Sequence, residues 1–372
     1  MSAVASQKVA FRERTTRALR DSNLQQAMGK ARGGFVDKRL EAMAALPEFD
    51  ETRDAARDIK DHVLANLDGY LELYEQKVIE NGGQVHWART AEEACQIVAD
   101  ICKEANAQVV TKGKSMVSEE MHLNSVLEAA GLKVVETDLG EYIVQLAGET
   151  PSHIIAPAVH KTREQITELF HEHHSKLGYT DRVTQREALV NEARSVLRGT
   201  FVTADVGITG ANFLVAETGA NVIVTNEGNG DLTSSLPRVH IVTAGIEKVI
   251  PSLDDLSVLL RVLARSATGQ EMSAYTSLYS GPRQDTDSEG PEAYHVVLLD
   301  NGRSTMLGGG YRSMLRCIRC GACLNHCPVY SAIGGHAYGW VYSGPMGSVL
   351  TPLLNGFDDS VDLPNACTLN GR

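Results

Sequence analysis

The sequence predicts an α/β protein built on a largely parallel sheet, with a helical arm before it and a small cysteine-rich module after it. Three observations carry that reading. From about residue 61 to residue 302, short apolar segments alternate with amphipathic stretches, which is the rhythm of βα units whose sheet is covered on both faces. Residues 1–60 are polar and charged, with helical periodicity in places such as DKRLEAMAAL. Four of the seven cysteines fall within eleven residues, 317–327, inside a final segment of 303–372.

Taken in order, the arm is interrupted by Gly33, Gly34 and Pro47 and reads as helices with irregular joints, laid over the next domain or over a partner. IKDHVLANLDGYLELYEQKVIENGG is one amphipathic helix stopped by Gly82 and Gly83. QVHWA follows as a strand. Thr90 caps the next helix, and Glu93, three residues on, completes a capping-box pattern. QVVTKG reads as a strand, SEEMHLNSVLEAAG as a helix and KVVETD as a strand. SHIIAPAV and TREQITELFHEHHSKLG continue the alternation, as do NFLVAETGANVIVT, RVHIVTAGIEKVI and the helix DDLSVLLRVLARSA. GPRQDTDSEGPEA (281–293) is an exposed loop before a last strand, YHVVLLD. A helical stretch then runs into the cysteines, and the Gly/Pro-rich remainder reads as weakly structured.

Composition removes several functions. The chain of 372 residues carries 35 positive and 47 negative side chains, a formal charge of −12, which opposes general nucleic-acid binding. With 43% hydrophobic residues it is not a disordered chain. No stretch reaches the ~18 apolar residues that cross a bilayer, so the protein is expected not to be transmembrane. The N-terminus lacks the apolar core of a secretory signal, and clustered cysteines without an export signal point to metal in a reducing, cytoplasmic compartment.

The chemistry sits in CIRCGACLNHCP (317–328). Its spacing, C-x2-C-x2-C-x3-C-P, is the bacterial ferredoxin pattern for a [4Fe–4S] cluster. Two-residue gaps let one short loop present three thiolates, Cys317, Cys320 and Cys323, and Gly321 permits the tight curvature. Pro328 is expected to stop the helix after the fourth thiolate, Cys327. A structural zinc site would more often use two separated C-x2-C pairs. In two-cluster modules the fourth cysteine serves the other cluster, so a second motif should follow. Cys367 begins one, but Asn370 stands where its second thiolate belongs. Cys317, Cys320 and Cys323 therefore remain for one cluster, with Cys327 and Cys367 as candidates for its fourth ligand. The chain is a piece of something longer, or it holds one cluster at most.

Other candidates have plain structural alternatives. Lys112, Lys114 and Ser115, in TKGKS at a strand end, form either an anion cradle or a basic surface loop; Gln108 stands where a P-loop needs glycine. Gly207, Gly210, Gly219, Gly228 and Gly230, with Glu217, Asn226 and Glu227, mark either a ligand-facing backbone or a set of turns. His171 and His174, one helical turn apart, share a metal or lie on a solvated face. Cys95 and Cys102 read as ordinary buried cysteines.

TKGKSMVSEEMHLN (111–124), ETDLGEYIVQL (136–146), GITGANFLVAETGANVIVTNEGNGDL (207–232) and CIRCGACLNHCPVY (317–330) together resemble the LUD-domain iron–sulfur proteins of bacterial lactate-utilisation systems. The resemblance covers nearly the whole chain. It implies a LUD fold related to sugar-phosphate isomerases and CoA transferases, joined to a ferredoxin-like module that is incomplete here. It also implies a cytoplasmic electron carrier that works with two sister proteins to oxidise L-lactate to pyruvate, with two [4Fe–4S] clusters in the family. Glu217, in VAETGA, is similar in context to the nucleophilic glutamate of CoA transferases. An alternative is a LUD enzyme acting on a phosphorylated or CoA-linked small acid, with the cysteines vestigial. A third is a scaffold for the sister subunits.

Overall fold

The computed structural model describes residues 10–358 and 360–369. Its centre is a six-stranded sheet, parallel throughout, of β1 (Gln84–Ala88), β2 (Val109–Gly113), β3 (Lys133–Glu136), β4 (Val206–Thr209), β7 (Val239–Gly245) and β10 (Ala293–Leu299), in the order β1-β10-β7-β4-β2-β3. Successive strand residues face opposite sides. Ile241 and Val297 join Val98, Leu123 and Leu127 under the helices Ala91–Glu104 and Leu123–Ala129. Val242, Val296 and Leu298 pack on Val63, Leu71 and Tyr74 of the helices Phe49–Ala65 and Leu67–Glu80. That is the two-sided burial the apolar runs predict.

A second, mixed sheet was not legible in the sequence. NFLVAETGANVIVT is a hairpin of β5 (Phe213–Val215) and β6 (Ala220–Thr225), flanked by β8 (Val249–Ile250) and β9 (Tyr275–Tyr279) in the order β8-β5-β6-β9. The helix Leu253–Thr268 covers it through Leu256, Leu259 and Leu263. Two expected helices are broken. Asn66 separates Phe49–Ala65 from Leu67–Glu80, and His122, at φ 54, separates Met116–Glu120 from Leu123–Ala129. SHIIAPAV is irregular and not a strand; its backbone instead forms a loop against the cysteine module.

The arm also differs from expectation. Gly33 and Gly34 lie within one continuous helix, Ser22–Ala44, and only Pro47 separates it from the next. With Phe11–Arg20, that helix docks on the last seventy residues. Ala18 and Met28 share an apolar core with Leu324, Tyr330, Ile333 and Leu350, and Gln25 donates to the Ala332 carbonyl at 2.8 Å. The Gly/Pro-rich end is not loose: the helix Gly344–Asn355 buries Met346 and Leu350 in the same core. A helix that looks polar along its length is stabilised by such docking rather than by propensity.

Candidate functional site

The cysteine segment is shaped by two left-handed residues. Arg319 at φ 60 and Gly321 at φ 78 turn the chain twice within three residues, between Cys317 and Cys323. Glycine is required at 321 on a second count, because a Cβ there would lie 3.3 Å from the His153 ring. A short helix, Ala322–His326, follows. Cys327 ends it and caps the next, Pro328–Ile333, its Sγ accepting from the Tyr330 amide at 3.4 Å. Pro328 therefore starts a helix instead of stopping one: at the first helical position its missing N–H is no loss and its fixed φ already suits the helix.

The sulfurs fall into two neighbourhoods. Cys317 adds to the upward push on the Cys320 and Cys323 thiols, and Cys320 adds to that on Cys323. Burial pushes the Cys320 thiol up to about 11, opposed by the Ala322 amide. Burial and the two neighbouring cysteines push Cys323 up to about 12, opposed by the Met346 and Leu324 amides. Cys327, which is fully buried, Cys367 and Cys323 all act on the hydroxyl of Tyr338. Among the described residues no oxygen or nitrogen pairs with that buried hydroxyl, and the group it meets is the Cys327 thiol. Leu369 N–H donates to the Cys367 Sγ at 3.4 Å. Amide donors aimed at sulfur and a buried hydroxyl set among thiols suit thiolate-bound iron, whose sulfurs accept such bonds. Asn370 lies outside the described residues.

The module is bolted to the sheet by buried charge. Arg303, 1% exposed, holds Glu120 through two hydrogen bonds of 2.8 and 2.9 Å and Glu247 at 2.7 Å. Tyr342 donates to Glu120 at 2.8 Å, and Lys60 donates to the Glu247 carbonyl. Burial raises the Glu247 carboxyl, but Arg303, Arg319 and Lys248 outweigh it and hold it near 2. Arg319 stacks over Tyr342, 4.9 Å from the ring centre. Lys60, Lys248 and Arg319 all feel the charge of Cys317. A glance inside the motif would have singled out Arg319. Lys248 and Glu247 carry no such signal, because they become neighbours of the cysteines only through the fold.

Beside this network, at the carboxyl ends of β2, β4 and β7, lies a cavity of about 460 Å³ whose lining includes Arg319 and Tyr342. Ligands of open α/β sheets sit at such strand ends. Lys114, Ser115, Asn226 and Glu227 line it. The Lys114 ammonium is matched by Asp138 and by Glu227 at 3.0 Å. Ser115 bonds Thr243 at 2.8 Å, and Asn226 pairs with Gln270 at 2.9 Å. Three other candidates lie elsewhere. Lys112 is fully buried between Glu119 at 2.6 Å and Glu136 at 2.8 Å. Glu217 is exposed and accepts from the Leu253 amide at 2.6 Å, closing the start of a helix. Gly228 precedes the helix Asn229–Ser235, next to Glu227 but not itself part of the lining. Gly207 and Gly210 do permit close approach, but of the chain itself: their Cβ atoms would meet the Thr233 and Lys114 carbonyls at 1.8 and 2.4 Å.

His174 is not on a solvated face. It is fully buried, with Nδ1 bonded to Glu192 at 2.7 Å and Nε2 to the Tyr142 hydroxyl at 2.9 Å, so both ring nitrogens are engaged. Cys95 and Cys102 are buried beneath β2 and its neighbours, and burial pushes their thiols up to about 11 and about 12. Among the described residues no helix is long and apolar enough to cross a membrane.

Comparison with known proteins agrees with this architecture. The LUD domain family matches residues 71–299, and the 4Fe-4S dicluster domain family matches residues 313–372. A Bacillus licheniformis protein named lactate utilization protein B is 47% identical over 360 residues, covering 96% of this chain and 75% of its own. An Escherichia coli protein named uncharacterized electron transport protein YkgF is 45% identical over 359 residues, covering 96% of this chain and 75% of its own. A crystal structure of a DUF162 family protein from Deinococcus radiodurans matches 63% of this chain and 98% of its own at 12% identity, with a TM-score of 0.35. An α/β LUD domain over 71–299, a cysteine module over 313–372 and close likeness along almost the full length place this chain in the lactate utilization protein B family.

Proposed function

We propose that this chain is the iron–sulfur electron-transfer subunit of a multi-protein system that oxidises L-lactate to pyruvate. Family membership supports an iron–sulfur electron-transport role, and the names of the relatives point to lactate utilisation; the sister subunits rest on the sequence resemblance alone. The observation that carries the reading is the ferredoxin-type spacing of Cys317, Cys320, Cys323 and Cys327 in a loop turned by Arg319 and Gly321. Cys317, Cys320 and Cys323 would hold one [4Fe–4S] cluster, with Cys327 or Cys367 as its fourth ligand. A bound cluster supplies one-electron chemistry. The chain's own residues wrap it, aim amide hydrogens at its sulfurs and set positive charge beside Cys317.

The test is anaerobic reconstitution with iron and sulfide. The protein should absorb broadly in the blue-visible region and bleach on reduction. Cys317→Ser and Cys323→Ser should lose iron, while Cys95→Ser keeps it. A colourless, iron-free product would overturn the proposal. For the lactate step, bleaching by L-lactate is expected only with the sister proteins present.

A second reading, ligand binding by the LUD domain, is favoured by the convergence of Lys114, Ser115, Asn226 and Glu227 on one cavity. Covalent chemistry at Glu217 finds no support, since that carboxylate lies outside it. Calorimetric titration with L-lactate and with CoA thioesters distinguishes a binding cavity from an inert one.

A further inference from the structure

Away from the cysteines and the cavity, the loop after the helix Leu139–Leu146 meets the cysteine module at a cluster of two imidazoles and a carboxylate. One ligand-type atom from each of Glu149, His160 and His336 lies within 4.8 Å of the others. The two rings stand 4.5 Å apart at 64°. Glu149 Oε2 lies 2.7 Å from His160 Nε2. One nitrogen of each ring is already occupied by an oxygen: Ser152 Oγ lies 2.6 Å from His160 Nδ1, and the Thr150 carbonyl lies 2.7 Å from His336 Nε2.

This is the arrangement of a metal-binding histidine pair. Histidines that hold a metal donate their second ring N–H to a carbonyl, hydroxyl or carboxylate, which fixes the tautomer and aims the other nitrogen inward. Here the Thr150 carbonyl can only accept, so His336 Nε2 carries its hydrogen and Nδ1 is the basic nitrogen. Ser152 Oγ gives its own hydrogen to the Pro157 carbonyl at 3.1 Å, so it accepts from His160 Nδ1, and the proton shared by His160 Nε2 and Glu149 Oε2 is the one a metal ion would displace. Two imidazoles and one carboxylate are a ligand set that suits zinc, with a fourth position left for water. Lys161 also bonds Glu149, on its other oxygen, Oε1, so Oε2 is the atom that faces the imidazoles.

We propose that Glu149, His160 and His336 form a zinc site that clasps the LUD loop to the cysteine module. The ligands are His160 Nε2, His336 Nδ1 and Glu149 Oε2. Tetrahedral ligands at about 2.0–2.1 Å from zinc stand roughly 3.3 Å apart, so the ion replaces the Glu149–His160 hydrogen bond after an opening of about half an ångström. The site draws on none of the cysteines and none of the cavity residues, so its failure leaves the electron-transfer reading untouched.

The test uses the full chain with its cysteines filled by anaerobic reconstitution, titrated with zinc ions. One equivalent should bind with a shell of nitrogen and oxygen only. X-ray absorption should show imidazole scattering and no sulfur near about 2.3 Å. His336→Gln, whose amide can still donate to the Thr150 carbonyl, should weaken binding roughly tenfold or more, and zinc should raise the melting temperature of the parent but not of this variant. Glu149→Gln is the second variant should the first fail to fold. Should both fail, the parent's absorption spectrum decides alone. No bound equivalent, a zinc–sulfur shell, or affinity unchanged in either variant would overturn the proposal.

Discussion

Arg303 and Glu120 form a bidentate pair, 2.8 and 2.9 Å, with both side chains almost wholly out of solvent. The arginine begins the helix that leads into the cysteine module, and the glutamate belongs to the short helix after β2. Breaking a buried pair from one side leaves an uncompensated charge and costs about 3–5 kcal/mol. Arg303→Met should therefore lower stability by that order in urea unfolding, since Glu120 and Glu247 lose their shared partner. Adding Glu120→Gln to it should recover part of the loss.

Positive charge beside Cys317 should set the potential of any cluster held there. Lys248→Gln removes one cation from the oxidised and the reduced state alike, and the reduced state, being more negative, loses more. The reduction potential should fall by some tens of millivolts in an EPR-monitored titration. Arg319→Lys keeps the charge and loses the flat contact with Tyr342, so its shift should be smaller. Equal potentials in parent and Lys248→Gln would contradict the electrostatic account.

The protein should be acid-labile in a definable window. Burial holds His153 down to about 4, His240 to about 3 and His295 to about 4, against an ordinary 6.5. Between those values the unfolded chain takes up protons that the folded chain refuses. Their contribution is thus whole above about pH 6.5 and falls as the pH drops toward 4, by up to about 3 kcal/mol for each site. Glu247 adds to it lower down, because its stabilisation is present above about 4.5 and disappears as the pH approaches 2. Melting temperature should drop steeply between pH 7 and pH 5, and less steeply in His153→Gln, which keeps a donor for Asn325.

Gly321→Ala should disturb the cysteine loop more than its size suggests. The left-handed backbone at φ 78 costs an alanine about 1–2 kcal/mol, and the new methyl would press on the His153 ring. Iron per chain after reconstitution should fall with the melting temperature. An iron content equal to the parent's would show that the loop closes without this turn.

The parallel sheet and the cysteine motif were legible because each rests on local pattern. Val296 and Val297 announce two-sided burial by sitting side by side, and the four thiolates announce themselves by spacing alone. What escaped depends on distant partners. The 213–225 stretch looks like one apolar strand until Glu217, Thr218 and Gly219 are seen as a hairpin turn. The arm resembles a loose polar helix because the faces of Ala18 and Met28 gain meaning only beside Leu324 and Tyr330. At the cavity, Lys114 and Ser115 were visible in a strand-end motif, whereas Lys248 and Arg319 come from segments about 70 residues apart that nothing local connects.

The docking of the first helices on the last segment sets a timetable for biosynthesis. Arg14 bonds the Ala337 carbonyl across 323 residues of chain, and Gln25 reaches Ala332 across 307. At about 5–20 residues per second, the ribosome delivers the arm roughly 15–60 s before the surface it belongs on exists. For that interval the nascent chain carries an apolar stripe with no native place to go. Holdase chaperones therefore have their longest opportunity on the helices Phe11–Arg20 and Ser22–Ala44.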